Sequence, residues 1–153
     1  MHASAVALAG HAAEGAPGGH IAVMAAFDHE EIGSATRSGA SGPFLQEVLE
    51  RVSASLGADA ADRARAYADS VCLSADAGHA VHPNYPERHD PANRPLLNRG
   101  PLLKINANQR YATDAMGAAE WARACSQAGV GYQEFVSNND VPCGSTIGPL
   151  TAT

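Results

Sequence analysis

Four short apolar runs, set apart by stretches with helical character, restrict this chain's fold more than any other feature. They are residues 20–27, 70–76 (SVCLSAD), 102–106 (LLKIN) and 132–136 (YQEFV). Short continuous apolar runs of this kind read as buried strands. Residues 3–13 are alanine-rich and predict a helix, broken by the glycines between 15 and 19. Ser41-Gly42-Pro43 opens a second helix, since proline is tolerated in a first turn. Phe44, Leu45, Val48, Leu49 and Val52 give that helix one apolar face, and Gly57 is its natural stop. A short helix is expected over 60–68, and Thr113-Asp114 caps another that ends at Gly129. Strands alternating with helices predict an α/β layered domain whose sheet is mixed and at least partly parallel.

The chain has 153 residues, enough for one core, and no internal repeat. Its net charge of −6 argues against a nucleic-acid partner or a basic membrane patch. No apolar run approaches the roughly 20 residues of a membrane span. The opening stretch MHASAVALAGHAA lacks a basic region and reads as helix, not as a signal peptide. Three cysteines, Cys72, Cys125 and Cys143, form no CxxC pair, which favours a reducing, cytoplasmic setting.

In sheets of this type ligands gather beyond the carboxyl ends of the strands. Asp28, His29, Glu30 and Glu31 follow the first run, Asp76 ends the second, and Asn106 to Arg110 follow the third. Adjacent acids repel, so a solvated loop is one home for Glu30 and Glu31. The other is a strand end facing something positive. In a metal hydrolase one glutamate can ligate zinc while its neighbour stays free as the base that activates water. Downstream, SADAGHAVHPNYPERH contains Asp76, His79, His82 and His89. Spacing alone leaves these histidines open between hydrogen-bonded loop residues and ligands, and Pro83 argues against a shared helical face. Residues 82–101 form a long loop without periodicity, a length that is usually functional. Cys143, beside Gly144, has no assignable base and reads as a small buried cysteine, not a nucleophile.

FDHEEIGS, SADAGHAVHPNY, LLKINANQRYAT and VSNNDVPCGSTIGP, in that order, resemble the motifs of the aspartyl aminopeptidase family of zinc metallopeptidases. The resemblance runs from residue 3 onward. It implies a layered α/β/α, metallo-aminopeptidase-like fold binding two zinc ions. Carried over residue by residue, it makes Glu30 the acid/base, Glu31 a ligand of one zinc and Asp76 a ligand of the other. Lys104 and Tyr111 would line the substrate site, with His79 and His82 as further wall residues and Arg110 a second cationic candidate. The implied reaction removes an amino-terminal aspartate or glutamate from a peptide, and a lysine suits such a side chain electrostatically. The family forms large homo-oligomers.

Members of the family are much longer, and their remaining ligands are a bridging aspartate and two histidines. His11 and His20 match none of these. The 153 residues are therefore expected to be a partial catalytic domain truncated at both ends, without the oligomerisation domain and the flanking ligand segments. The alternative is a short, inactive metallopeptidase-like protein that serves as a binding or assembly partner.

Overall fold

The computed structural model describes residues 1–107, 111, 113–138 and 140. Arg110, Cys143 and the glycine-punctuated carboxyl end lie outside the described residues. The chain divides into two compact units, Met1–Ala75 and Asp76–Thr153.

The first unit contains three helices: α1 (His2–Ala13), α2 (Phe44–Ser55) and α3 (Ala60–Ala68). Both ends of α2 and the start of α3 lie where local chemistry directs. Pro43 stands at the N-cap of α2. At its other end Gly57 adopts φ +83°, and the amides of Gly57 and Ala58 donate to the carbonyls of Ala54 and Ser53. That is a Schellman closure, which satisfies carbonyls the helix cannot. Asp59 and Asp62 form a reciprocal capping box at the start of α3, with bonds of 2.8 and 3.1 Å, an arrangement worth about 1 kcal/mol. Glu50 of α2 and Arg63 of α3 approach to 3.9 Å. The apolar face of α2 is half exposed at Phe44, Val48 and Val52.

The second unit is built on two strands, β1 (Leu102–Ile105) and β2 (Gln133–Val136), which pair in parallel with Lys104 opposite Phe135. Helix α4 (Ala115–Gln127) connects them, as a parallel pair requires. Asp114 caps α4 through a 2.7 Å bond from the Gly117 amide, and Gly129 closes it with the same Schellman pattern. Of the mixed, partly parallel sheet expected from the sequence, a small parallel pair is present among the described residues, with Leu103 and Phe135 buried on it.

The expected strands at 20–27 and 70–76 are not formed. Both segments are without regular structure and have no ladder partners among the described residues, and Ile21 is 71% and Val71 81% exposed. An apolar run becomes a strand only when a neighbour accepts its hydrogen bonds, and neither segment has one here. Among the described residues no helix is long and apolar enough to cross a membrane.

The last part of the 82–101 loop meets the start of β2 at Leu96 and at Gly100. Gln133 of β2 grips Leu96 with both ends of its amide, at 2.9 and 3.0 Å. Gly100, at φ +97°, lies so close to Gly131 that an added Cβ would collide with the Gly131 carbonyl oxygen. Gly100→Ala should therefore destabilise the protein by about 1–3 kcal/mol, since it adds backbone strain to a steric clash. A shift in the urea midpoint measures this, and an unchanged midpoint would mean the loop does not need that approach.

Candidate active site

Glu30 and Glu31 sit on a single 3-10 turn, Glu30–Ile32, in the first unit. Such a turn has three residues per revolution, so consecutive side chains leave it about 120° apart. The backbone around the acids is unusual: His29 has φ +63° and Ser34 φ +59°, both left-handed and neither glycine. Each such position costs on the order of 1–3 kcal/mol and persists only where its surroundings enforce it. Those surroundings are present. The Ser34 amide donates to the His29 carbonyl at 2.9 Å and the Asp28 amide to the Ser38 carbonyl at 3.3 Å. The His29 ring bonds Thr36 Oγ1 through Nδ1 at 2.8 Å, and Ser34 itself is buried. Both glutamates are exposed, and neither pairs with a cation among the described residues.

The second unit gathers Asp76, Lys104 and Tyr111. Lys104 Nζ donates to Asp76 Oδ2 at 3.4 Å, while the Ala77 amide donates to Asp76 Oδ1 at 2.8 Å. The same ammonium lies 5.4 Å from the Tyr111 ring centroid and 5.9 Å from that of Phe135, within reach of cation–π attraction. At the carboxyl ends of β1 and β2, Asn106 donates its side-chain amide to Ser137 Oγ at 3.3 Å, and both are buried.

Of the histidines, His79 belongs to this cluster. Its ring stands edge-on to Phe135 at 5.3 Å and to His89 at 5.2 Å. Its Nδ1 bonds the Ala80 carbonyl, which can only accept, so that nitrogen carries the proton. His82 is used locally: its Nδ1 accepts from the Asn84 amide at 3.1 Å, and its ring packs on Tyr85. His89, which spacing left open among the motif histidines, is central to the cluster, and so is Phe135, which the sequence did not single out. The 82–101 loop has no period from which burial could be inferred.

Carboxylate oxygens are suitable zinc donors, so the chemistry of Glu31 and Asp76 fits the metal, although the Lys104 ammonium that pairs with Asp76 would have to give way to it. Among the described residues no group of three His, Cys, Asp or Glu side chains is placed to hold an ion.

The protein-family model for aminopeptidase I zinc metalloprotease (M18) matches residues 1–153. This chain belongs to the M18 family. The resemblance read from its motifs is thereby confirmed. The M18 chain is 58% identical over 152 residues to a probable M18 family aminopeptidase 2 of Streptomyces coelicolor, covering 99% of this chain and 35% of that protein. It is 48% identical over 139 residues to the Mycobacterium tuberculosis protein of the same name, covering 91% and 32%. It thus spans about a third of the length of the relatives it matches. Among solved structures it is similar to a chain of the Ape4 and Nbr1 complex, with a TM-score of 0.74 and 43% identity over 83% of this chain and 24% of that one. A crystal structure of prApe1 gives 0.70 and 37% over 82% and 26%. The mApe1 dodecamer of S. cerevisiae gives 0.65 and 36% over 82% and 27%.

Proposed function

We propose that this chain supplies part of the catalytic domain of a zinc aminopeptidase that removes amino-terminal aspartate or glutamate from peptides. The acid pair on its strained turn carries this reading. Two carboxylates leaving one 3-10 turn about 120° apart can serve different tasks. Glu30 is the acid/base: its carboxylate takes a proton from the attacking water and returns it to the departing amine. Glu31 and Asp76 would each hold one of two zinc ions. When bound, zinc supplies Lewis-acid polarisation of the water and of the scissile carbonyl. Lys104, backed by Tyr111, attracts the acidic side chain of the substrate, while His79 walls the site.

The sheet of β1 and β2 is then part of a layered α/β/α domain, which the similarity to prApe1 supports. The homo-oligomeric state proposed for the complete protein draws support from the mApe1 neighbour, solved as a dodecamer. Cys72 and Cys125 are free thiols, in keeping with a cytoplasmic home.

Substrate choice tests the reading. Lys104→Met, made in a full-length M18 protein carrying this segment, should weaken kcat/KM for Asp and Glu substrates by about 2–5 kcal/mol, the cost of removing one partner of a desolvated pair. Ala and Leu substrates should lose much less. An equal loss on every amino-terminal residue would remove Lys104 from the specificity pocket. It would leave the residue the task of holding Asp76, with which it pairs at 3.4 Å.

A further inference from the structure

We infer that His89 is an uncharged latch, which keeps the 82–101 loop docked on the carboxyl end of β2 near neutral pH and releases it when the imidazole is protonated. The inference goes beyond the proposed peptidase activity and stands without it. His89 is 4% exposed, with its ring edge-on to Phe135 and to His79, each at 5.2 Å. Its backbone makes an antiparallel bridge to Ser137. On either side the Asp90 amide donates to the Val136 carbonyl and the Asn138 amide to the Arg88 carbonyl, both at 3.0 Å. This short antiparallel patch is what joins the loop to the end of β2.

Its Nδ1 is buried without a hydrogen-bond partner among the described residues. A neutral ring can leave that nitrogen bare at modest cost, but an imidazolium would bury an N–H with no acceptor as well as a charge. The charged groups around it offer no relief. His79 and Arg94 oppose a further positive charge. Lys104 lies across the Phe135 ring and engages Asp76. On its own segment Arg88 stacks over Tyr85, and Asp90 Oδ1 accepts from Ala92 and Asn93 within its own turn. Glu87 is exposed, and Glu134 is exposed on the opposite face of the sheet from Phe135.

Burial first, then His79 and Arg94, push the His89 imidazole below its usual 6.5. The released loop therefore takes up a proton before the docked one does. Docking is at full strength above 6.5 and weakens as pH falls from there toward the depressed docked value, below which the loss levels off.

Amide hydrogen exchange in the full chain tests this directly. Protection at Asp90 and Asn138, corrected for intrinsic exchange, should fall by up to about tenfold between pH 7.5 and 5.5. The Gln133 amide, bonded to the Pro101 carbonyl, should keep its protection. In His89→Phe, which retains a ring and cannot be protonated, the fall should vanish. Flat protection in the native chain, or an equal fall in His89→Phe, overturns the inference. Should that variant fail to fold, the ring-nitrogen titration of native His89 decides: a midpoint below 6.5 supports the latch, and one at or above 6.5 overturns it.

Discussion

Glu30→Gln, introduced into a full-length M18 aminopeptidase carrying this segment, should abolish turnover while leaving its zinc content intact. The amide keeps the shape of the side chain but cannot accept the proton of the attacking water. Losing a general base costs on the order of 10²–10⁴ in rate, and more where the same group also serves the leaving amine. Glu31→Gln and Asp76→Asn should instead release metal, because an amide oxygen is a far weaker zinc donor than a carboxylate. The 3-10 turn makes the contrast a sharp one, for its two acids point in different directions and their losses should not mimic each other. Metal analysis beside a rate assay separates the cases. Zinc lost from Glu30→Gln and kept by Glu31→Gln would reverse the two roles.

Phe135→Ala should produce the largest loss of stability in the second unit, about 3–5 kcal/mol. Its side chain is 1% exposed and is shared by His79, His89 and the Lys104 ammonium. Removing the ring leaves a void beneath all three, and the neighbouring strand restrains any collapse into it. Phe135→Leu, which refills most of the space, should recover a large part of the loss. Urea unfolding measures both variants. A shift below about 1 kcal/mol for alanine would mean that the site can close over the gap.

Helices were the most legible part of this sequence because their signals are local. A proline at the start of α2, an aspartate before α4, and glycines after α2 and α4 each act within one turn. Strand signals depend on a partner elsewhere in the chain. The runs at 102–106 and 132–136 found each other, while 20–27 and 70–76, no less apolar by the pattern of short runs, stayed unpaired among the described residues. Composition could not tell these outcomes apart. The acid pair and Asp76 were legible as motif residues, and the family they pointed to is the one the chain belongs to. His89 and Phe135 were harder to see. Their importance comes from a loop folding back on a strand, a long-range event that leaves no spacing behind.

The pairing of Leu102 with Gln133 also sets an order of assembly. Neighbours in this ladder are separated in sequence by α4, so β1 leaves the ribosome well before anything can zip to it. At about 5–20 residues per second, Lys104 and Asp76 spend seconds on the nascent chain with no aromatic wall behind them. Pairing between distant segments is intrinsically slow, because loop closure must precede any gain in contacts. During that interval the bare edge of β1 is open to other extended strands. Binding by a holdase chaperone should therefore be strongest on nascent chains whose emerged part ends between Ile105 and Gln133, and should decline once Val136 has emerged.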